Sequence, residues 1–231
     1  MKIFAVADTH LSLADPKPMD IFGSRWENHC YKLAENWRER VTPEDWVLIC
    51  GDISWAMHLE DARPDLEFLG KLTGQKIIVR GNHDYWWKSI SKVRAELPAG
   101  MYALQNDFIS LGDIAVCGTR GWTMPNGQMT PEDEKVYRRE ILRAKMSFEK
   151  ASRAGFTKMI FMMHYPPFNN GRLDTEFGEL FKEYSPAACV YGHLHGHDHR
   201  HAFEGTINGT RFHFVSVDFT GFSPLEIWPD A

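Results

Sequence analysis

Five histidines alternate with other residues in the stretch Y-G-H-L-H-G-H-D-H-R-H, which covers residues 191–201. Imidazole nitrogens bind transition-metal ions, so this stretch has the chemistry of a metal site. An alternation of period two is typical of a β-strand with the histidines on one face. Strand spacing alone does not make a metal site, because an ion also needs ligands from other directions. The question is whether other parts of the chain supply them.

Five short apolar runs are each followed by side chains that can bind a metal or exchange a proton. Runs of four to six residues rich in Val, Ile and Phe are typical of buried strands. The runs are KIFAVA (2–7), WVLIC (46–50), KIIV (76–79), MIFMM (159–163) and ACVY (188–191), and the side chains after them are Asp8 and His10, Asp52, Asn82 with His83 and Asp84, His164, and His193 with His195. Because ligands bind at the carboxyl ends of strands in open α/β sheets, these loops are predicted to meet at one edge.

The residues around these side chains fit such a site. Gly51, Gly81 and Gly192 are predicted to allow the sharp turn with which the chain leaves each strand. Asp8 and His10 are expected on one side of an extended segment. The pooled ligands are carboxylates, imidazoles and one amide, without a thiolate, and this set favours Mn, Fe or Zn over a structural zinc site. The ligands are too many for one ion, which indicates two.

The order of the motifs resembles that of the calcineurin-like metallophosphoesterase family. The motifs D-T-H, G-D, G-N-H-D, a single H and G-H-L-H occur in the family's order between residues 8 and 195. The resemblance implies an α/β fold, a four-layer α/β/β/α sandwich with two mixed β-sheets flanked by helices. It also implies two metal ions: Asp8, His10 and His195 would hold the first, Asn82, His164 and His193 would hold the second, and Asp52 would bridge them.

The resemblance also implies the hydrolysis of a phosphoester bond. A hydroxide that bridges two ions about 3.5–4 Å apart would attack phosphorus in line. His83 would donate a proton to the leaving oxygen, beside the ligand Asn82, and Asp84 would orient His83. The implied catalytic residues are therefore Asn82, His83 and Asp84. The implied site contains two dications, the carboxylates of Asp8 and Asp52, and one hydroxide. Its net charge is therefore positive, which suits the binding of a negatively charged phosphate.

Two arginines are candidates for substrate binding. Arg120, in GTRGW, and Arg172, in FNNGRLD, could each clamp a phosphate through two hydrogen bonds, and a surface ion pair is the alternative for both. Four tryptophans also lie near the motifs in sequence: Trp55, Trp86, Trp87 and Trp122. Core packing is the usual role of such side chains, and stacking on a nucleobase is the alternative.

The motifs differ from those of the protein Ser/Thr phosphatases of this family. Those enzymes carry G-D-x-x-D-R-G and G-N-H-E, whereas the matching stretches here are GDISWAM and GNHD. The difference disfavours a phosphoprotein and leaves a phosphomonoester, a phosphodiester on a small or nucleotide-like molecule, or a pyrophosphate as the substrate. The variable region 85–163 is expected to shape substrate choice, and its polar loop TMPNGQMTPEDE is a candidate lid.

Amphipathic segments between the strand-like runs predict helices. Residues 26–40 carry apolar side chains at helical spacing, and residues 131–153 give the clearest stripe, with Thr130 as the predicted N-cap. The run RFHFVSVDF (211–219) alternates as a half-buried strand does, which suggests antiparallel pairs late in the chain. The last three histidines of the histidine-rich stretch are predicted to form an exposed strand face; they are His197, His199 and His201.

The composition limits the class of protein. The length of 231 residues suits one domain over 1–231, and 43% hydrophobic and 25% charged residues are typical of a globular protein. The net charge is −5 without a dense cluster of Lys and Arg, which argues against long nucleic acids as partners. Four cysteines without a paired motif suggest free thiols in a reducing cytoplasm. No apolar run reaches the ~18 residues of a membrane helix, and nothing in the pattern specifies an oligomeric state.

Two other functions are compatible with parts of this pattern. A noncatalytic scaffold would keep the fold, bind a protein partner and be expected to lack the proton donor, yet His83 and every implied ligand are present. A metal-storage protein would use the histidine-rich stretch to hold many ions weakly and would show no turnover. The hypothesis that uses all five motifs is a phosphoesterase with two metal ions and a small phosphorylated substrate.

Overall fold

A computed structural model describes residues 1–125, 127–168 and 172–228 of the chain. This part of the chain forms eleven strands: β1 (Ile3–Val6), β2 (Trp46–Cys50), β3 (Gln75–Val79), β4 (Met101–Ala103), β5 (Phe108–Leu111), β6 (Ile114–Thr119), β7 (Lys158–Met163), β8 (Ala188–Tyr191), β9 (Gly205–Ile207), β10 (Thr210–Phe214) and β11 (Leu225–Trp228). It also forms five α-helices: α1 (His29–Arg40), α2 (Leu59–Lys71), α3 (Ile90–Glu96), α4 (Pro131–Arg153) and α5 (Glu176–Tyr184).

The strands form two mixed sheets. The first has the order β11-β1-β2-β3-β4, in which β1 to β4 are parallel and β11 is antiparallel to β1. The second has the order β5-β6-β7-β8-β10-β9, in which the four central strands are parallel and both edge strands are antiparallel. Four of the predicted ligands each follow the carboxyl end of one of these parallel strands: Asp8, Asp52, His164 and His193.

The residues of each strand alternate between two apolar layers. In β1, Ile3 and Ala5 belong to the layer between the two sheets, whereas Phe4 and Val6 pack against helices. The outer face of the first sheet is covered by side chains of α1, α2 and α3, and that of the second by side chains of α4 and α5. Because both faces of each sheet are covered, the strands are apolar throughout. The predicted four-layer α/β/β/α sandwich is confirmed.

Most of the predicted elements are confirmed. Each of the five apolar runs predicted as strands contains, coincides with or lies within a strand, and the helix predicted over 131–153 is α4. Thr130 caps this helix, because its hydroxyl accepts a hydrogen bond from the amide of Asp133 (3.1 Å) and the Asp133 carboxylate accepts one from the amide of Thr130 (3.3 Å). This reciprocal pair is a capping box, and it satisfies two backbone donors at the helix start.

Two predicted elements differ in extent. The helix predicted over 26–40 begins at His29, because Asn28 adopts a left-handed conformation (φ 53°) directly before it. Residues Ser24–Trp26 form a separate short 3-10 helix. The strand predicted over 211–219 ends at Phe214. Beyond it the chain leaves β8 and pairs with the end of β1.

This change of partner joins the two sheets. The amide of Val215 donates to the carbonyl of Tyr191 (2.8 Å) in the second sheet, and the Val215 carbonyl accepts from the amide of Ala7 (2.8 Å) in the first. The amide of Val217 then donates to the carbonyl of Ala7 (3.1 Å). We call residues 215–218 the segment that crosses between the sheets. It is hydrogen-bonded to Ala7 and Tyr191, which directly precede the loops that carry Asp8 and His193.

The prediction of a strand over the last histidines is wrong. Residues Gly196–His201 form a 3-10 helix that begins at a left-handed glycine (φ 52°). The amide of Gly196 donates to the carboxylate of Asp218 (3.2 Å), which turns the chain away from the sheet. His197 and His201 are exposed as expected, but His199 is partly buried and its Nε2 lies 3.1 Å from Asp218.

The prediction of free cysteines is confirmed. Cys50, Cys117 and Cys189 are buried in strands and Cys30 is half-buried in α1, and none of the four forms a disulfide. Burial raises the pKa of Cys117 to about 12, so this thiol is protonated and behaves as a small apolar side chain. Among the described residues, no helix has the length and apolar character needed to cross a membrane.

The capping box of α4 gives a stability prediction. Thr130→Ala removes the hydroxyl acceptor and is expected to lower the free energy of unfolding by about 1 kcal/mol. Thr130→Ser keeps the hydroxyl and serves as the matched control, with little expected loss. Urea denaturation followed by circular dichroism measures both variants. Equal losses in the two variants would contradict a role for the hydroxyl.

Candidate metal centre

Loops from both sheets meet where the parallel strands end. Within the first sheet, the amide of Asp8 donates to the carbonyl of Gly51 (3.0 Å). Two hydrogen bonds cross between the sheets: the amide of His193 donates to the Asp8 carboxylate (3.0 Å), and the ring of His164 donates through Nδ1 to the carbonyl of Cys50 (2.9 Å). The bond from His164 fixes the tautomer of its ring and leaves its Nε2 as a free electron-pair donor.

One group of ligands contains Asp8, His10 and His195, whose ligand atoms lie within 4.8 Å of one another. The Nε2 atoms of the two histidines are 3.4 Å apart, and His195 Nε2 is 3.6 Å from Asp8 Oδ1. Three nitrogen and oxygen donors that point at one small volume are an arrangement that suits a cation. These are the residues that the sequence predicts for the first ion.

A second group lies beside the first and contains Asp8, Asp52 and His164, again within 4.8 Å. Asn82 Oδ1 is 2.7 Å from His164 Nε2, and His193 Nδ1 is 3.2 Å from the same nitrogen. The structure therefore brings together the three residues predicted for the second ion, with both aspartates next to them.

Asp52 lies between the two groups. Its Oδ1 is 3.5 Å from Nε2 of His164, and its Oδ2 is 3.8 Å from Nε2 of His10. The two oxygens of one carboxylate thus face different groups. This is the geometry that a bridging ligand requires.

The backbone at these side chains is left-handed rather than extended. Asp8 (φ 62°), His10 (φ 43°), Asp52 (φ 51°) and His193 (φ 78°) all have positive φ angles. The prediction of an extended Asp8–His10 segment is therefore wrong, although both side chains reach the site. Each such residue costs of the order of 1–3 kcal/mol, and this kind of strain is concentrated at functional sites.

The three glycines have different roles. Gly51 has a positive φ angle (84°) and makes the predicted sharp turn. Gly81 and Gly192 do not have positive φ angles; a Cβ at Gly81 would collide with Asp52, and one at Gly192 with Asp8. At these two positions the absence of a side chain is what allows the carboxylates to approach so closely.

Burial and charge together show that the site fits metal ions. Asp8, Asp52 and His164 are almost fully buried, and Asp8 Oδ1 has no hydrogen-bond partner. A buried carboxylate oxygen without a partner is costly unless a cation neutralises it. The donors are oxygen and nitrogen only, which suits Mn, Fe or Zn.

The pKa values reflect this crowding of charges. Burial, reinforced by repulsion from Asp8, raises the pKa of Asp52 to about 8. Burial also opposes ionisation of Asp8, but the neighbouring His195 and His164 outweigh it and hold the pKa of Asp8 below its ordinary value. Burial alone would lower the pKa of His195, yet Asp8 and Asp218 outweigh it and raise the pKa to about 10. Burial and repulsion from His164 lower the pKa of His193 to about 3.

Two residues outside the motifs orient the predicted ligands. Asp218 Oδ1 lies 3.1 Å from His195 Nδ1, which directs Nε2 of that ring into the first group. The hydroxyl of Ser216 donates to Asp8 Oδ2 and leaves Oδ1 for other partners. Both residues belong to the segment that crosses between the sheets. The alternating run 211–219 contains them, but its pattern carries no signal of this role.

His83 lies at the solvent side of the two groups. Its side chain is 34% exposed, and its Nε2 is 4.0 Å from Asp52 Oδ2. The ring packs against Trp55, with ring centroids 4.5 Å apart, and against Tyr85 edge-to-face at 6.0 Å. The imidazole is therefore held beside the candidate ions and remains accessible to a substrate.

Asp84 does not contact His83 in the expected way. Its buried carboxylate accepts hydrogen bonds from the amide of Gly81 (2.7 Å), the amide of Ile53 (2.9 Å) and the indole of Trp86 (3.0 Å). Burial, together with repulsion from Asp52, raises the pKa of Asp84 to about 6. Asp84 thus fixes the loops that follow β2 and β3, and it positions His83 only through the backbone.

The two candidate arginines lie outside the ligand groups. The guanidinium of Arg120 stacks on Trp122 (4.4 Å) and lies 3.8 Å from the buried Glu140, while its carbonyl accepts the amide of His164 (3.0 Å). Arg172 is 76% exposed and pairs with Asp174 (3.3 Å). Arg172 therefore forms a surface ion pair, which was the alternative to phosphate binding for this residue.

The tryptophans divide between core and site. Trp86 and Trp87 are buried in the apolar cluster between the first sheet and its helices, so the expected role in core packing is confirmed for these two residues. Trp55 stacks on His10, with ring centroids 4.8 Å apart at 20°, and thus belongs to the wall of the site.

Comparison with known proteins shows which family has this arrangement of motifs. The family model described as calcineurin-like phosphoesterase matches residues 1–197. No curated protein matches the chain.

Solved structures with 14–15% identity share the fold. Phosphopantetheinyl hydrolase from Mycobacterium tuberculosis has a TM-score of 0.61, with 99% of this chain and 96% of that chain covered. A protein from Thermus thermophilus has a TM-score of 0.57, with 83% and 80% covered. A protein of unknown function from Aquifex aeolicus has a TM-score of 0.51, with 97% and 95% covered.

The contact between Asp218 and His195 gives a prediction for metal binding. Asp218→Asn removes the charge that orients the His195 ring, and loss of such a partner is expected to weaken one of two bound ions by about 10–100-fold. Isothermal titration calorimetry with Mn²⁺ measures the two affinities separately. Asp198→Asn, a change of an exposed carboxylate in the adjacent 3-10 helix, is the control. Unchanged affinity for both ions in the Asp218 variant would remove this role.

The raised pKa values give a prediction for stability against pH. Asp52 titrates at about 8 in the fold against an ordinary 3.8, and His195 at about 10 against 6.5. Burial lowers the pKa values of His10, His29, His83, His164 and His193, so the unfolded chain holds extra protons on these residues until pH exceeds about 7.5. Above that, from about pH 7.5 to 8.5, the folded protein holds protons on Asp52 and His195 that the unfolded chain has released, so the stability of the metal-free protein falls as pH rises. Bound metal requires the deprotonated ligands, so stabilisation by metal increases over the same interval.

Thermal melts in chelator and in Mn²⁺ measure this effect. The midpoint in chelator is expected to fall by a few degrees from about pH 7.5 to 8.5, and the difference from the Mn²⁺ sample is expected to widen. Asp52→Asn has no titrating carboxyl and is expected to show a smaller fall in chelator. A midpoint that rises with pH in chelator would contradict the assignment of these protons.

Proposed function

This chain belongs to the calcineurin-like phosphoesterase family, and we propose that it cleaves a phosphomonoester or phosphodiester bond in a small or nucleotide-like substrate. Family membership makes it a metal-dependent phosphoesterase. The observation that carries the proposal is the convergence of two ligand groups that share Asp8, with Asp52 of the second group facing His10 of the first and His83 at their exposed side.

The ligands are assigned as follows in this proposal. Asp8, His10 and His195 would hold one ion, Asn82, His164 and His193 would hold the other, and Asp52 would be a ligand shared by both. Bound ions of Mn, Fe or Zn supply activation of water and neutralisation of phosphate charge, which the protein's own side chains lack. The short distances within both ligand groups and the unpaired Asp8 Oδ1 support this assignment.

His83 is the proposed proton donor. Hydrolysis adds the oxygen of water to phosphorus and breaks the bond to the ester oxygen, which must leave with a proton. Burial and repulsion from His164 lower the pKa of His83, which makes its protonated form a stronger acid. Contact with Trp55 fixes the direction of the ring, and partial exposure lets the ester oxygen reach Nε2.

The substrate is proposed to be small. The sequence lacks the dense basic cluster that long nucleic acids require and has a net charge of −5. The region 85–163 is proposed to shape substrate choice, since it brings Tyr85 to His83 and contains α4 and the Trp122 loop. Asn126, in the candidate lid, lies outside the described residues.

Hydrolysis assays test the proposal. Protein with added Mn²⁺ is expected to cleave p-nitrophenyl phosphate or bis-p-nitrophenyl phosphate, and chelator is expected to abolish cleavage. His83→Ala is expected to reduce kcat by about 10²–10⁴-fold while two ions stay bound. The reduction should be larger for phenyl phosphate than for p-nitrophenyl phosphate, because a more basic leaving oxygen depends more on a proton donor.

The matched control is His201→Ala, which removes an exposed histidine from the 3-10 helix. Its rates are expected to equal those of the unchanged protein. Equal rates in the His83 variant would remove His83 from the mechanism. Absence of turnover on every ester, with two ions bound, would favour the noncatalytic scaffold.

A further inference from the structure

A cavity of about 760 Å³ opens beside the candidate metal centre on the side of His83. His10 and His195 lie at its base, so it is continuous with the first ligand group. Its volume is in the range of pockets that bind drug-sized ligands.

Aromatic side chains form the rigid wall of this cavity. Trp26 is buried and lies edge-on to both His10 (6.1 Å) and His195 (5.9 Å). Trp55 contacts the rings of His10 and His83. Because the same indoles touch the predicted ligands and the proton donor, the position of this wall is fixed relative to the reacting bond.

The outer wall is an exposed apolar side chain. Phe22 lines the cavity from a 3-10 helix over Met19–Phe22, and 63% of its surface is exposed. Its neighbour Ile21 is 72% exposed but does not line the cavity. A large aromatic side chain held open to solvent over an apolar cavity is suited to covering one face of a ligand.

Polar groups line the cavity where it meets Asp218. Arg25 lines it, and its guanidinium donates to the carbonyl of Asp218 (2.9 Å). His199 also lines it, and its Nε2 lies 3.1 Å from the carboxylate of Asp218; His197 is a further lining residue. An apolar slot with donors and acceptors at one edge suits a flat aromatic ring that carries polar atoms, and it suits a plain alkyl chain less well.

We propose that the cavity binds a flat heteroaromatic ring, of nucleobase size, on the alcohol that leaves the phosphate. This inference rests on the proposed function, because His83 protonates the leaving oxygen and stands at the cavity's border. The group attached to that oxygen therefore extends into the cavity. The ring packs between Phe22 and the indole wall, and its polar edge faces Arg25.

Two ligands that differ only in the base test this proposal. AMP and ribose 5-phosphate share the phosphate and the leaving oxygen, and only AMP has the ring. Calorimetric titration of metal-free protein in chelator measures binding without turnover. Competition against bis-p-nitrophenyl phosphate measures it in the presence of Mn²⁺. AMP is expected to bind about tenfold more tightly or better, as stacking of one base on aromatic side chains predicts.

Two neighbouring variants locate the ring. Phe22→Ala is expected to remove most of the preference for AMP, whereas Ile21→Ala, the loss of a neighbouring and slightly more exposed apolar side chain on the same 3-10 helix, is expected to keep it. Equal binding of AMP and ribose 5-phosphate to the unchanged protein, or a full preference in the Phe22 variant, would overturn the inference.

The two proposals can fail separately. Chelator-sensitive, His83-dependent hydrolysis without a preference for AMP would keep the phosphoesterase and remove the ring site. A preference for AMP that depends on Phe22, in a protein that hydrolyses no ester, would keep the ring site but remove the phosphoester reaction and with it the assignment of the ring to a leaving group.

Discussion

The structure depends on compensating the charge of two carboxylates, Asp8 and Asp52, that are buried side by side where the sheets meet. Burial raises the pKa of Asp52, and repulsion from Asp8 raises it further. In the protein without metal, His195 provides the main opposing charge for Asp8, and Asp218 supports His195 from behind. A purely structural site would gain stability by replacing such a pair with apolar side chains. The carboxylates are therefore best explained by the cations that they can hold.

The segment that crosses between the sheets connects this charge cluster to the rest of the fold. Val215 hydrogen-bonds to both sheets and Val217 to the end of the first. The side chains of Ser216 and Asp218, which follow these valines, reach Asp8 and His195. The same short segment thus ties the two sheets together and orients two ligands. Because each ligand group takes residues from both sheets, a shift of one sheet against the other would pull the ligands of each group apart. The geometry of the polar site therefore depends on how the apolar layer between the sheets is packed.

The sequence predicts the parts of this molecule that depend on local patterns. WVLIC is apolar throughout because both of its faces are covered, and Thr130 with Asp133 makes a capping box that depends on four consecutive residues. The position of Asp52 after its strand follows from the same reasoning. The sequence does not predict the conformation of residues whose contacts are distant in sequence. Asp8 and His10 are left-handed because the loops of neighbouring strands hold them so, and no spacing within D-T-H reveals it.

The histidine-rich stretch shows why periodicity misleads at a site. Its alternation satisfies the rule for a strand, but a strand also needs a neighbour for its backbone. After His195 the chain instead finds the carboxylate of Asp218, which accepts the Gly196 amide and meets both His195 and His199. One side chain, 22 residues away, thus replaces the ladder of hydrogen bonds and turns the chain into a 3-10 helix. Gly196, His197 and His199 of this turn line the cavity beside the first ligand group, so the interaction that orients a metal ligand also places residues in the wall of that cavity.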